Sequence, residues 1–199
     1  MIDKNEETWQ QYYQKAVKRK HNPRTERLIP LNRSGYKTAT DCGCGTGSDI
    51  HYLSELGYQV SGFDVNEDAL TICRERFANN PLVHVCQASF EHYDYPLAGI
   101  VLANSSLYFA NLKDFTKTWK KLTASLAIGG VFAGDFMGVK DSWATDFRIP
   151  TAPMTKHQVR ALFDEYDIVE FTERDEVGQT MLGESKHWHT FSVIAVKNV

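Results

Sequence analysis

Three glycines on alternate positions between two short strand-like stretches restrict this chain more than any other feature. The sequence runs Thr38-Ala39-Thr40 as a strand, then Asp41-Cys42-Gly43-Cys44-Gly45-Thr46-Gly47, then a short helix closed by Gly57. A second strand, Gln59 to Phe63, ends on Asp64. Glycines at this spacing let the backbone turn sharply out of a strand and bring its N–H groups close to a ligand, an approach that side chains block. An acid at the end of the next strand stands where a nucleoside places its ribose hydroxyls, and one carboxylate accepts from both. The stretch reads as a half-site for a nucleoside cofactor.

A dinucleotide fingerprint places its third glycine after a two-residue gap and turns a helix N-terminus toward a pyrophosphate. The spacing here is Gly43-x-Gly45-x-Gly47 with Asp41 just ahead, a different form. The segment TDCGCGTGSDI followed by GFDVNEDAL resembles motif I and the following acidic motif of class I S-adenosylmethionine-dependent methyltransferases. The resemblance is firm over about residues 36 to 137 and loose at both ends. It implies a Rossmann-like α/β fold: a seven-stranded, mostly parallel sheet with helices on both faces and an antiparallel last strand. It also implies S-adenosyl-L-methionine as cofactor. Gly43, Cys44, Gly45 and Gly47 would face its methionine part, Asp41 its amino group, Asp64 its ribose and Val65 its adenine ring. Ala88, Ser89 and Phe90 stand where the family carries an acid near the adenine amino group. Ser89 replaces that acid and leaves the pairing to backbone groups. LANSSLYF, which contains Asn104, resembles motif IV and is expected beside the transferable methyl group. It is not the Asn/Asp-Pro-Pro-Tyr form of amino-directed nucleic-acid methyltransferases.

The chain has 199 residues, 42% apolar and 24% charged, which fits one soluble α/β domain over 1–199. Residues 1–34 read as an N-terminal helical lid and 35–199 as the Rossmann-like core. No apolar run approaches the roughly 20 residues that cross a bilayer, and Asp3-Lys4-Asn5-Glu6-Glu7 lacks the apolar core of a secretion signal. The expected location is the cytoplasm, with no membrane partner. Cys42, Cys44, Cys73 and Cys86 fit that location as reduced thiols, and no metal is expected. A net charge of −3 provides no field to attract nucleic acid. The expected partner is a small-molecule methyl acceptor, and the expected state a monomer or homodimer.

In the lid, Trp9, Tyr12, Tyr13, Ala16 and Val17 recur at helical spacing and predict a helix from about Glu6 to Arg19. As a lid this helix places Tyr12 or Tyr13 against the cofactor, the alternative being a plain amphipathic cover of the sheet; Arg24 belongs to a basic cluster that reads as solvated surface, or reaches the cofactor's carboxylate. Further on, Asn66 caps a helix whose buried face is Ala69, Leu70, Cys73 and Phe77. Asn111 is expected to cap another, carrying Phe115, Trp119, Leu122 and Leu126 and ending at Gly129-Gly130. Thr155 and Gln158 form a capping box. Two strands, Ile168 to Glu173 and His187 to Val196, close the chain around a loop with Gly178 and Gly183.

Ligands of open parallel sheets bind beyond the carboxyl ends of the strands, which places Ser105, Tyr108, Trp143 and Trp188 in the acceptor region. His187, His189 and Tyr108 are the candidate bases if the acceptor must lose a proton. The two histidines at i and i+2 lack an evident third metal ligand in the sequence. The expected function is transfer of a methyl group from S-adenosylmethionine to a small molecule by in-line displacement. A weaker likeness of DSWAT, MTKHQVRALF and KHWH to the tellurite-resistance type of methyltransferase adds a chalcogen or thiol acceptor as one possibility. The competing readings are a non-catalytic S-adenosylmethionine-binding sensor or interaction module and, less favoured, a nicotinamide-dependent oxidoreductase. The glycine spacing and the lack of a Tyr-x-x-x-Lys pair speak against the last.

Overall fold

A computed structural model describes residues 4–147 and 149–199. Its centre is an eight-stranded sheet in the order β3-β2-β1-β4-β5-β8-β7, with a two-residue strand β6 added to β5. The strands are β1 Thr38–Cys42, β2 Gln59–Asp64, β3 Val83–Gln87, β4 Ala98–Ala103, β5 Leu126–Gly138, β6 Pro153–Met154, β7 Tyr166–Gln179 and β8 Ser185–Lys197. β8 runs antiparallel to both β5 and β7, and the other pairings are parallel. The expected antiparallel last strand is present, inserted between β5 and β7 with β7 at the edge. β6 makes the sheet one strand larger than expected.

The helices are α1 Lys4–Ala16, α2 Pro23–Leu28, α3 Ser48–Glu55, α4 Glu67–Arg76, α5 Phe115–Ser125, α6 Trp143–Asp146 and α7 Lys156–Ala161. All six residues of β4 are buried, as two-sided coverage of a parallel strand requires. Its alternate side chains feed two separate cores. Ile100 and Leu102 join Leu28, Ile50, Leu53 and Leu70 from α2, α3 and α4. Val101 and Ala103 join Trp119 and Leu122 from α5, Val159 from α7 and Phe163 from the turn after it on the other face. Chain order runs outward from β1 through β2 to β3, then restarts at β4 on the other side of β1. The loops after β1 and β4 diverge at that switch point, where a crevice for a ligand forms.

Capping chemistry explains several boundaries. The Asn66 side chain accepts from the N–H groups of Asp68 and Ala69 and opens α4. Thr155 and Gln158 close the expected capping box on α7.

Three boundaries differ from the sequence reading. The Asn111 side chain takes the Lys113 N–H in a turn before α5, and Asp114 is the residue that precedes the helix. Gly129 and Gly130 do not end that helix; they lie inside β5, where pairing jumps from Ala98↔Leu126 to Ile100↔Val131. This bulge needs Gly129 at φ +76, a conformation that costs other residues. Finally, the β7–β8 hairpin pairs from Tyr166↔Lys197 to Gln179↔Ser185, with one register shift between Ile168 and Glu170, and takes Gly178 into the strand. Its outer half is polar and mostly exposed, so the apolar alternation that would mark a strand is missing there.

Candidate cofactor and acceptor site

The glycine loop leaves β1 through three left-handed residues, Gly43 at φ +72, Gly45 at +52 and Gly47 at +74. A Cβ on Gly43 would lie 2.5 Å from Ser106 Cβ, and one on Gly47 would lie 2.6 Å from Phe77 Cε2. A Cβ on Gly45 would meet no atom within 4 Å. Two of the glycines therefore allow close packing, and the middle one borders open space. The amides differ from the sequence reading, which had them free for a ligand. The Gly43 and Cys44 N–H groups donate to Phe63 O at 2.8 and 2.9 Å, Gly47 N–H to Cys44 O at 2.9 Å, and Gly45 N–H to Asp64 Oδ2 at 2.9 Å. A loop built for phosphate keeps such donors free. Here they tie the loop to β2, and acids dominate the crevice.

Those acids are Asp41, Asp49 and Asp64. Asp64 Oδ1 also accepts the Asn66 N–H at 3.0 Å, and beside it Val65 is 64% exposed, open to an adenine face. Asp41 is buried. Burial first, then the negative charge of Asp49 and Asp64, push its carboxyl well above the usual carboxylate range. Desolvation also raises Asp64, opposed by its backbone hydrogen bonds. Asp49, which sequence reasoning missed, accepts from Asn22 N–H (3.0 Å), Thr25 Oγ1 (2.6 Å) and Asn104 Nδ2 (3.1 Å). Mutually repelling acids beside an open glycine fit a cationic, phosphate-free nucleoside better than a pyrophosphate.

Arg24 sits at the heart of a second network. Its guanidinium grips Asp135 Oδ1 and Oδ2 at 2.8 Å each and also donates to the Asn104 side chain. Asp135, at the carboxyl end of β5, further accepts from Ser105 N–H at 2.8 Å and Ser192 Oγ at 2.5 Å. It too escaped the sequence reading, since an acid inside an apolar strand has no local motif. Arg24 Nε is buried and has no partner, a donor available to a ligand carboxylate. Ser105 is the single non-glycine residue with positive φ among the described residues, at +52, a strained residue at the expected methyl-transfer position.

Burial first, and then the charge of Asp64, raise the phenols of Tyr12 and Tyr13 on α1, with Arg19 opposing at Tyr12. Trp9 stacks on Tyr13 with ring centroids 5.9 Å apart and meets Phe109 edge-on at 6.0 Å. The aromatic face of α1 thus spans from the cofactor crevice to the loop after β4. Trp143 continues this wall, 6.4 Å from Phe109, 4.3 Å from Phe147 and 5.7 Å from Trp188. The Lys186 ammonium lies 4.5 Å from the Trp143 ring centre and 4.1 Å from that of Trp188. It is paired with buried Asp141.

Other candidates fall elsewhere. Phe90 is buried against Phe63 at 5.2 Å, and Ser89 Oγ pairs with His92 Nδ1 at 2.9 Å. Tyr108 is buried, and burial holds its phenol well above its ordinary pKa. His187 and His189 project from the opposite face of β8 from Trp188, as strand alternation requires. His187 Nε2 meets Asp175 Oδ1 at 2.8 Å, and His189 Nε2 meets Glu173 Oε1 at 3.2 Å. Both rings are thus engaged by acids of β7.

The hairpin register supplies the third ligand type that the sequence left missing, since Glu173, Asp175 and His189 bring ligand atoms within 4.8 Å of one another. However, His189 Nδ1 accepts the Lys140 N–H at 3.1 Å, which leaves the ring proton on Nε2. The two carboxylates are held by Lys140 at 2.6 Å and Lys156 at 2.8 Å. The group is a ladder of ion pairs.

Comparison with known proteins agrees with this geometry. Residues 39–130 match the family model of a methyltransferase domain. The chain is 29% identical over 152 residues to the uncharacterized methyltransferase YodH of Bacillus subtilis (strain 168), covering 75% of this chain and 54% of that one. It therefore spans about half the length of the curated relative it matches. Among solved structures, TehB from Haemophilus influenzae superposes with a TM-score of 0.67 at 19% identity, over 81% of this chain and 57% of that one. The glycopeptide N-methyltransferase MtfA, solved with S-adenosyl-L-homocysteine, gives 0.59 at 14% identity, over 90% and 91% of the two chains. The fold, the glycine loop with its strand-end acid and these matches make the chain similar to class I S-adenosylmethionine-dependent methyltransferases, with the methyltransferase-domain model matching residues 39–130.

Proposed function

We propose that this chain transfers a methyl group from S-adenosylmethionine to a small-molecule acceptor, in the cytoplasm, as a single domain with α1 as its lid. The observation that carries the reading is the open Gly45 flanked by Asp41, Asp49 and Asp64, a cradle of negative charge whose four amides at Gly43, Cys44, Gly45 and Gly47 are already paired within the protein. In this reading Asp64 holds the ribose hydroxyls, Asp41 the amino group, Arg24 Nε the carboxylate, and Val65 the adenine face. The bound cofactor supplies a methyl group on a positively charged sulfur. The protein then has to align a nucleophile over Asn104 and Ser105 and exclude water. The aromatic face of α1 suits the second task. Trp143 and Trp188 belong to the acceptor wall, and four free cysteines suit a reducing compartment. Among the described residues no helix is long and apolar enough to cross a membrane.

The test is formation of S-adenosylhomocysteine with a panel of thiol, amine, heterocycle and hydroxyl acceptors. Turnover supports an enzyme. Cofactor binding without turnover across the panel favours the sensor reading.

A further inference from the structure

We propose that the acceptor is a flat nitrogen heterocycle, uncharged at working pH, whose ring nitrogen becomes cationic when methylated. The proposal rests on the methyltransferase reading above and narrows its substrate. Proton traffic is the first ground. A hydroxyl acceptor has to shed a proton, whereas an imidazole- or pyridine-type nitrogen attacks through an in-plane lone pair already available. Among the described residues, the basic groups around Ser105 are committed. The Asp135 carboxylate holds the Arg24 fork, the Ser105 amide and the Ser192 hydroxyl. Asp49 accepts three hydrogen bonds, the Lys186 amine is paired with Asp141, and the Tyr108 phenol is buried. His187 and His189 serve β7 on the other side of the sheet.

Charge is the second ground. The crevice concentrates the carboxylates of Asp41, Asp49 and Asp64, and ring faces carry negative quadrupoles. A thiolate or phenolate is repelled there, while a cation formed at the wall is favoured. The indoles already hold one cation, since the Lys186 ammonium stands 4.5 and 4.1 Å from the Trp143 and Trp188 ring centres. Shape is the third. The half-buried rings of Trp9, Phe109, Trp143 and Phe147 form one continuous wall, which matches a flat apolar guest.

The step balances without an added reagent. The ring nitrogen's lone pair forms the N–CH3 bond while the CH3–S bond breaks with its electrons moving to sulfur. The sulfonium becomes a neutral thioether, the positive charge passes to the heterocycle, and no proton is released.

The full chain is tested with 1-methylimidazole, nicotinamide and quinoline against thiophenol and phenol. Two readouts are used: quenching of tryptophan fluorescence by each probe in the presence of S-adenosylhomocysteine, and mass-spectrometric detection of methylated product with S-adenosylmethionine. The proposal expects heterocycle binding, weakened about tenfold in Phe109→Leu with S-adenosylmethionine affinity unchanged. It also expects N-methyl cations formed without proton release in weak buffer. Preferred methylation of thiophenol or phenol overturns it, as does failure of all three heterocycles to bind or react while S-adenosylmethionine still binds. Failure to bind S-adenosylmethionine overturns the methyltransferase reading beneath it.

Discussion

Alanine placed at Gly45 and at Gly47 separates the two jobs assigned to the glycine loop. Both residues are left-handed, at φ +52 and +74, so each substitution pays about 1–2 kcal/mol for moving a Cβ-bearing residue into that region. At Gly45 nothing further is added, because its Cβ meets no atom within 4 Å. At Gly47 the Cβ falls 2.6 Å from Phe77 Cε2 and 3.0 Å from Cys73 Sγ. Overpacking of that kind adds about 1–3 kcal/mol. Gly47→Ala should therefore be the less stable variant by about 1–3 kcal/mol, a further drop in melting temperature of roughly 2–12 °C for a chain of this size. Cofactor affinity should run the other way relative to stability: Gly45→Ala fills the open cradle and loses S-adenosylmethionine binding while the fold persists. Urea titration gives the first quantity and calorimetry on the folded variants the second. Equal destabilisation at the two positions, or full cofactor affinity in Gly45→Ala, refutes the assignment.

Other consequences are as direct. Because burial and neighbouring acids raise Asp41 in the folded chain, its ionised form, which the cofactor's ammonium needs, disappears on acidification well above the usual carboxylate range near pH 3.9. S-adenosylmethionine affinity should fall about tenfold per pH unit below that point and lose this pH dependence in Asp41→Asn, as read by calorimetry across pH. The sign for stability is opposite. A carboxyl whose folded pKa is raised contributes stability that is present at low pH and lost as pH rises through that pKa. Lys186→Met strands the buried Asp141 carboxylate and should cost about 3–5 kcal/mol in urea unfolding, partly restored by adding Asp141→Asn. Lys156→Ala breaks an exposed pair with Glu173; it should cost under about 1 kcal/mol and leave cofactor affinity unaltered.

The parts of this molecule that local chemistry dictates were legible in the sequence. The loop at Gly43–Gly47 and the acid at Asp64 stand on fixed spacings, the Asn66 cap and the Thr155–Gln158 box satisfy backbone donors within four residues, and β4 is apolar because both its faces are covered. What failed was decided by contacts distant in sequence. That His187 and His189 meet Asp175 and Glu173 depends on the register of β8 against a β7 segment whose polar residues conceal a strand. Asp135 looks like an intruder in an apolar strand until Arg24, from 111 residues earlier, arrives with its fork. Gly129-Gly130 carries the same letters whether it ends a helix or forms a bulge, and the pairing of Ala98 and Ile100 decides between them.

The most direct test of the central claim is calorimetric titration of the purified chain with S-adenosylmethionine and with NADH, repeated on Asp64→Ala after its folding has been checked by thermal melt. The account predicts binding of S-adenosylmethionine alone, weakened about 10- to 100-fold in the variant by loss of charge-assisted hydrogen bonds to the ribose. Binding of NADH in preference, or S-adenosylmethionine affinity that ignores Asp64, contradicts it.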